Sequence, residues 1–222
     1  MSIHTIMLDA VARQPWRNGG GLTQELLTWP PDPGGAAVSV AVNAATGGAV
    51  AGSTVADCSA GVPEWQLRVS VATIEADGPF SPFPGVRRWF VVMDGAGVRL
   101  HFSRTTETCR SGDAPLAFDG REAPRCQRLG GSSRDLNLML RHGAGRAALR
   151  RVADGALLQT GRRWRALFCA GNAVLHTGGG ARHELPQETL AWSDTEPGFG
   201  LAWRCETAAP AWWLTLDGDT TP

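Results

Sequence analysis

The chain of 222 residues contains no lysine: all 21 of its basic residues are arginine. That excludes Schiff-base chemistry, a catalytic ammonium and the lysine of a phosphate-binding loop. Tyrosine is absent as well, so no phenol can serve as acid or base. Charge of one sign is not in excess either. With 21 acidic residues the formal net charge is zero, which leaves no overall electrostatic argument for nucleic acid or an anionic membrane as partner. No stretch reaches the roughly 18 uninterrupted apolar residues of a membrane span. The opening, "MSIHTIMLDAVARQPW", has no basic run leading into an apolar segment. The five cysteines (Cys58, Cys109, Cys126, Cys169, Cys205) are odd in number, widely spaced and without a Cys-x-x-Cys pair. This argues against a disulfide framework and a structural zinc site, and the expectation is a reduced, cytoplasmic protein.

What is present is turn-forming and strand-forming. There are 28 glycines and 14 prolines, and no window of 11 to 18 residues carries a convincing 3.6-residue period. "IHTIML" (3–8) and "LTQELLTW" (22–29) read as strands, and "AAVSVAV" (36–42) as another, followed by a small-residue loop. In "LRVSVATI", Leu67, Val69 and Val71 alternate with Arg68, Ser70 and Ala72, so one face is apolar and the other polar. "DGPFSPFPG" (77–85) is a turn whose phenylalanines cap a core, and "RWFVVMDGAGVRLHF" reads as a hairpin. "APLAFDG" and "RDLNLML" follow. From about residue 145 the pattern restarts as short strands at intervals of roughly ten residues, the spacing of an all-β barrel or sandwich. We read two β-rich halves, 1–144 and 145–222, joined without a long linker.

The candidate site begins with "PWRNGGGLTQE" (15–25). Trp16 and Asn18 share a face if the stretch is extended. Gly19 and Gly20 let the main chain pass close to a ligand or to another strand, and their N–H groups can donate to an anion. Thr23 and Glu25 fall on one strand face. Arg68 on a polar inward face needs a carboxylate or phosphate partner, from a ligand or from Glu25 or Asp77, and Ser70 lies on the same face. Asn137 alternates with Leu136 and Leu138, and its amide both donates and accepts. The arginines Arg146, Arg150, Arg151, Arg162, Arg163 and Arg165 read as a solvated basic face rather than a nucleic-acid patch. Trp192, Trp203, Trp212 and Trp213 mark either an aromatic core or a homodimer surface.

"PWRNGGGLTQEL", "RVSVATIEADGPFSPFPG", "VVMDGAGVRL", "LAFDG" and "DLNLMLR" follow one another as in the HutD/Ves family, and over residues 3–142 the chain resembles that family. The resemblance implies a double-barrel cupin, a bicupin of jelly-roll halves in one chain. It also implies a role in histidine utilisation: binding a small acidic intermediate such as a formylated or formiminated glutamate, and so restraining the pathway. A cupin metal site needs a His-x-His pair, and His4, His101, His142, His176 and His183 supply none; the nearest ligand cluster is His176, His183 and Glu184. No Gly-x-Ser-x-Gly elbow and no dinucleotide motif is present. The reading is therefore a non-catalytic binding protein without metal or cofactor. Its ligand site is formed by Trp16, Asn18, Gly19, Gly20, Thr23, Glu25, Arg68, Ser70 and Asn137. The alternative is a cupin enzyme acting on a small acidic or sugar substrate.

Overall fold

The computed structural model describes residues 2–30, 63–153, 157–159, 163–194 and 202–217. The strand expected at 36–42, the loop after it, Cys58 and Arg162 lie outside them. The chain begins with β1 (His4–Met7), a single 3-10 turn (Leu8–Ala10), β2 (Gln14–Pro15) and β3 (Gly21–Trp29). Next come β4 (Leu67–Ile74), β5 (Gly78–Pro79), β6 (Val86–Gly95), β7 (Val98–His101), β8 (Thr106–Cys109) and β9 (Leu116–Asp119). After a second 3-10 turn (Gly120–Glu122) follow β10 (Arg125–Arg128), β11 (Ser133–Arg141), β12 (Arg146–Arg151) and β13 (Leu157–Gln159). The remainder is β14 (Trp164–Cys169), β15 (Ala173–His176), β16 (Arg182–Leu185), β17 (Thr189–Ser193), β18 (Ala202–Glu206) and β19 (Ala211–Asp217). No helix among the described residues is long and apolar enough to cross a membrane.

The strands form four antiparallel sheets, in spatial order β2-β3-β4-β11-β6-β9, β5-β10-β7-β8, β1-β17-β14-β19-β12 and β13-β18-β15-β16. Among the described residues none closes on itself. The order β4-β11-β6-β9 recurs as β12-β19-β14-β17, and β5-β10-β7-β8 recurs as β13-β18-β15-β16. Adding eight to each strand number converts the first half into the second, a repeat of topology that no sequence repeat announced. The first strand does not stay with its neighbours: β1 pairs with β17, in the sheet of the second half.

The two large sheets pack face to face. Leu67, Val69 and Val71 of β4 and Leu136, Leu138 and Leu140 of β11 meet Trp164, Ala166 and Phe168 of β14 and Trp212, Leu214 and Leu216 of β19. Each valine, leucine and phenylalanine side chain among them contributes about 1.5–3 kcal/mol by leaving water. Polar ties close the same seam: Trp29 Nε1 donates to Asp194 Oδ2 at 3.0 Å, and Arg134 pairs with Glu188 at 2.5 Å. The opposite faces of the large sheets are covered by the small ones. In the first half Ile74, Phe90, Val92 and Phe118 pack against Val98, Leu100, Cys109 and Cys126. The face of β4 opposite its apolar stripe is therefore also interior.

Gly19 and Gly20 end the turn between β2 and β3, and Gly21 opens β3. Gly19 has φ +67°, a left-handed conformation, and Gly21 lies so close to β4 that a Cβ there would sit 2.2 Å from the Thr73 carbonyl oxygen. Gly21→Ala is expected to cost about 1–3 kcal/mol because main chain must move. Gly20→Ala, which meets only the Asn18 side chain at 3.2 Å, should cost less. Urea unfolding midpoints of the two variants check the order.

Candidate functional site

Both faces of the six-stranded sheet are interior, so period-two alternation delivers polar side chains as well as apolar ones into dry surroundings. Glu25 of β3, Arg68 and Ser70 of β4, Asp135 and Asn137 of β11 and Arg88 of β6 all point away from the central core. Ser70 lies opposite Glu25 on one side and Asn137 on the other. A register shift between Glu25 and Leu27 sends Leu26 into the central core and keeps Glu25 on the polar face.

Arg88 is the centre of this array. It is 5% exposed, and its guanidinium lies 5.2, 5.5 and 5.2 Å from the rings of Phe80, Phe83 and Phe118. Nη2 donates to Asn137 Oδ1 at 3.1 Å, while Nε and Nη1 are buried with no hydrogen-bond partner. Burial pushes its pKa down to about 10, Arg68 nearby adds to the lowering, and Asp135 works against it. The group stays cationic at neutral pH.

The Asn137 amide faces two ways. Its oxygen accepts from Arg88 and its Nδ2–H donates to Asp135 Oδ1. Asp135 is 1% exposed, and its Oδ2 is buried without a partner. Burial pushes its pKa up to about 7, opposed by the Asn137 hydrogen bond and by Arg88 and Arg134. Arg68 stands nearer the rim: Nε donates to Glu25 Oε2 at 2.5 Å, Nη1 lies 3.7 Å from Met139 Sδ, and the two charged side chains are 14% and 25% exposed. Of the two internal partners expected for Arg68, Glu25 is the one used. Asp77 instead accepts from the Arg128 N–H at 3.0 Å.

Of the residues expected from the sequence, Glu25, Arg68, Ser70 and Asn137 thus come together. Thr23 and Trp16 adjoin them: Trp16 Nε1 donates to Thr23 Oγ1 at 2.7 Å, and the indole meets Phe80 edge-on, Phe80 being one ring of the cage around Arg88. Asn18 and Gly19 spend polar groups on the turn, while the Gly20 carbonyl accepts from the N–H groups of Glu75 and Ala76 beyond β4. Asn18 is exposed, its Oδ1 accepts from Gly20 N at 3.0 Å, and Gly19 N donates to the Trp16 carbonyl at 2.9 Å. Arg88 and Asp135 are the residues that sequence reasoning missed. Parity could have found them, since Arg88 shares a strand face with Phe90, and Asp135 with Asn137.

The second half carries a buried arginine on the equivalent strand. Arg165 of β14 lies 5.3 Å over the Trp203 ring with Nη2 3.5 Å from Ser193 Oγ. It is therefore not part of a basic face, and Arg163 lies over Trp29 at 4.8 Å, leaving Arg146, Arg150 and Arg151 on the edge strand β12. Trp203, Trp212 and Trp213 are core, while Trp192 stacks on His4 at 4.5 Å. The nearest approach to a ligand cluster in the sequence is engaged otherwise: His176 lies 3.1 Å from Glu206, and Glu184 pairs with Arg182 at 2.7 Å. Among the described residues no group of three or more His, Cys, Asp or Glu is placed to hold a metal ion. Cys109, Cys126, Cys169 and Cys205 are buried free thiols.

The facing antiparallel sheets, in two topologically matched pairs, make a cupin-like fold. A cupin 2 conserved barrel domain protein from Leptotrichia buccalis superposes with TM-score 0.51 at 8% identity over 98% of each chain. HutD from Pseudomonas fluorescens SBW25 superposes with TM-score 0.71 at 22% identity, covering 98% of this chain and 100% of that one. An uncharacterized 21.2 kDa protein in the hutC 3' region of Pseudomonas putida is 28% identical over 162 residues, 73% of this chain and 70% of its own length. Protein Ves from Escherichia fergusonii is 27% identical over 177 residues, 75% of each chain. The HutD family model matches residues 45–213, and the chain belongs to that family.

The elevated Asp135 pKa has a definite sign. A carboxyl whose folded pKa lies above its unfolded value of 3.8 contributes stability at low pH that is lost as pH rises through about 7. The melting temperature of Asp135→Asn relative to the native chain is therefore expected to increase from pH ~5 to ~8, which thermal unfolding at the two pH values measures.

Proposed function

We propose that the chain is a non-catalytic binding protein that takes a small acidic metabolite into its first half. The ligand is an intermediate of histidine degradation of the formyl- or formiminoglutamate kind, and its sensing or sequestration restrains the pathway. The observation that carries this reading is Arg88: a guanidinium in a dry cage with two donors unused and a second arginine beside it. A buried charge without its full set of partners is costly, and a carboxylate oxygen at Nε or Nη1 supplies what is missing. Arg68, held by Glu25 at the rim, is suited to a second carboxylate or to the approach path, with Ser70, Thr23 and Trp16 lining it. The names of the relatives from Pseudomonas connect the family to the histidine-utilisation locus.

On this reading the matched sheet pairs are the two halves of a bicupin, with the boundary near residue 145 and β1 lent to the second half. The protein acts in the cytoplasm, as a monomer or homodimer, without cofactor or nucleic acid. The enzyme alternative, a cupin acting on a small acidic or sugar substrate, has one feature in its favour: the unpartnered Asp135 Oδ2 could serve as a base.

The test is a thermal shift with N-formylglutamate and N-formiminoglutamate. At a ligand concentration 100 times Kd the unfolding free energy rises by about 2.7 kcal/mol. For a chain of this size that is a shift of about 5–10 °C. Arg88→Met, which replaces a caged cation by an apolar side chain of similar reach, should fold and lose the shift, and Arg68→Ala should reduce it. Absence of any shift in the native chain, with Arg68→Ala indistinguishable from it, would sink the reading.

A further inference from the structure

Asp135 is the one charged group of the array that the binding reading leaves without a task. It sits deeper than Arg88, between β4 and β6, and its surroundings can be enumerated. On β11 itself are Asn137 and Arg134; across on β6 is Arg88; from β8 and β10 come the thiols of Cys109 and Cys126. From β4 the register partner is Ala72, and the charge on that strand, Arg68, is paired with Glu25. No histidine is among these groups.

The Asn137 amide fixes how the two buried ions feel each other. Turning it over would set its oxygen against Asp135 and its NH2 against the guanidinium, losing both hydrogen bonds at once. Where it is ionised, above pH ~7, Asp135 is therefore the counter-charge of Arg88, reached through one neutral amide. A carboxylate arriving at Nε and Nη1 adds a second negative charge to the same dry space. Two carboxylates sharing one cation in a low dielectric do not both remain ionised. The arriving group is the better placed to keep its charge, because it receives charge-assisted N–H bonds directly. Asp135 receives one bond from a neutral amide and has a bare oxygen.

We propose that the anion seated on Arg88 is taken up together with one proton from solvent, which Asp135 binds at Oδ2 as a new O–H bond. The inference rests on Arg88 being the seat of the ligand. The balance is simple: one anion and one proton enter, the charge of the interior is unchanged, and no oxidant or further reactant is required. Asp135 is then a positioning residue whose protonation sets affinity. The thiols facing it do not confuse the effect, because burial pushes Cys109 up to about 11 and Cys126 up to about 12. Arg88 at about 10 also keeps its charge through the neutral range. Near pH 7 Asp135 alone among these groups changes state, and the ligand raises its pKa further.

The sign follows from linkage. Below the free-state pKa of about 7 the proton is already in place and affinity is level. Above it each binding event must draw a proton in, so Kd rises by up to about tenfold per pH unit. Calorimetric titration of the full chain with N-formylglutamate, whose own carboxylates do not titrate in this range, is run from pH ~6 to ~9 and repeated at one pH in phosphate and in Tris. The expected result is a Kd that climbs only on the alkaline side, with a difference in heat between the buffers equivalent to uptake of up to one proton. Asp135→Asn should bind with a level Kd and equal heats in both buffers. A native chain that binds with one Kd throughout and identical corrected heats overturns the proton-linked inference while leaving the binding reading intact. A native chain that binds no N-formylglutamate at any pH overturns the binding reading, and this inference falls with it. The buffer pair on the native chain decides the matter even where the variant fails to fold.

Discussion

The guanidinium of Arg88 is the constraint around which the first half is arranged. An arginine cannot shed its proton to suit a dry site, so the protein has to accommodate the charge. It does so with three phenylalanine rings, one amide oxygen and, one step further, a carboxyl group. Each of these partners constrains another. Phe80 is in turn held edge-on by Trp16, whose indole N–H is held by Thr23. The first strands of the chain, the turn after β5 and the centre of the large sheet are thereby tied to one cation.

This arrangement exists because the large sheet has no solvent face. Its outer surface in an ordinary two-layer fold would be the place for Arg68, Arg88, Asp135 and Asn137. Here that surface is roofed by β5, β10, β7 and β8, and the other surface forms the seam with the second half. The second half uses the same strand order to a different end. Where β11 presents Asp135 and Asn137 inward, its equivalent β19 presents Ala211 and Trp213, and the buried arginine of that half lies against Trp203. Matched backbones thus hold a polar array in one half and an aromatic core in the other.

Much of the architecture was legible in the residues themselves. The alternation of "LRVSVATI" and "RDLNLML" gave strands with the right parity. The Asp-Gly-Ala-Gly run gave the turn between β6 and β7 but not the expected hairpin: the chain changes sheets there, β6 pairing with β11 and β9 and β7 with β10 and β8. A close backbone approach was legible in the glycine run, but not that Gly21 makes it or that the neighbour is Thr73. The site was half legible. Arg68, Glu25, Ser70 and Asn137 were placed by parity within their own strands. Arg88 and Asp135 were overlooked because a polar residue in a strand is ordinarily assigned to solvent, and only the roofing sheet reverses that assignment. The apparent basic cluster after residue 145 dissolved for the same reason: Arg165 is interior, while Arg146, Arg150 and Arg151 lie on an edge strand.

By itself the sequence determined the strand-rich class, the two-part division of its pattern, the faces each strand would present, and the lack of lysine, tyrosine and paired histidine that restricts the chemistry. These are properties of neighbours along the chain, fixed by side-chain period and by composition. The tertiary structure alone decided that β1 joins the far half, that the inner strands of the large sheets are covered on both faces, and that Arg88 and Asp135 share one amide. Those are pairings between residues tens of positions apart. They depend on which surface another sheet covers, and covering is what turns a strand's outer arginine into an interior charge in need of a partner.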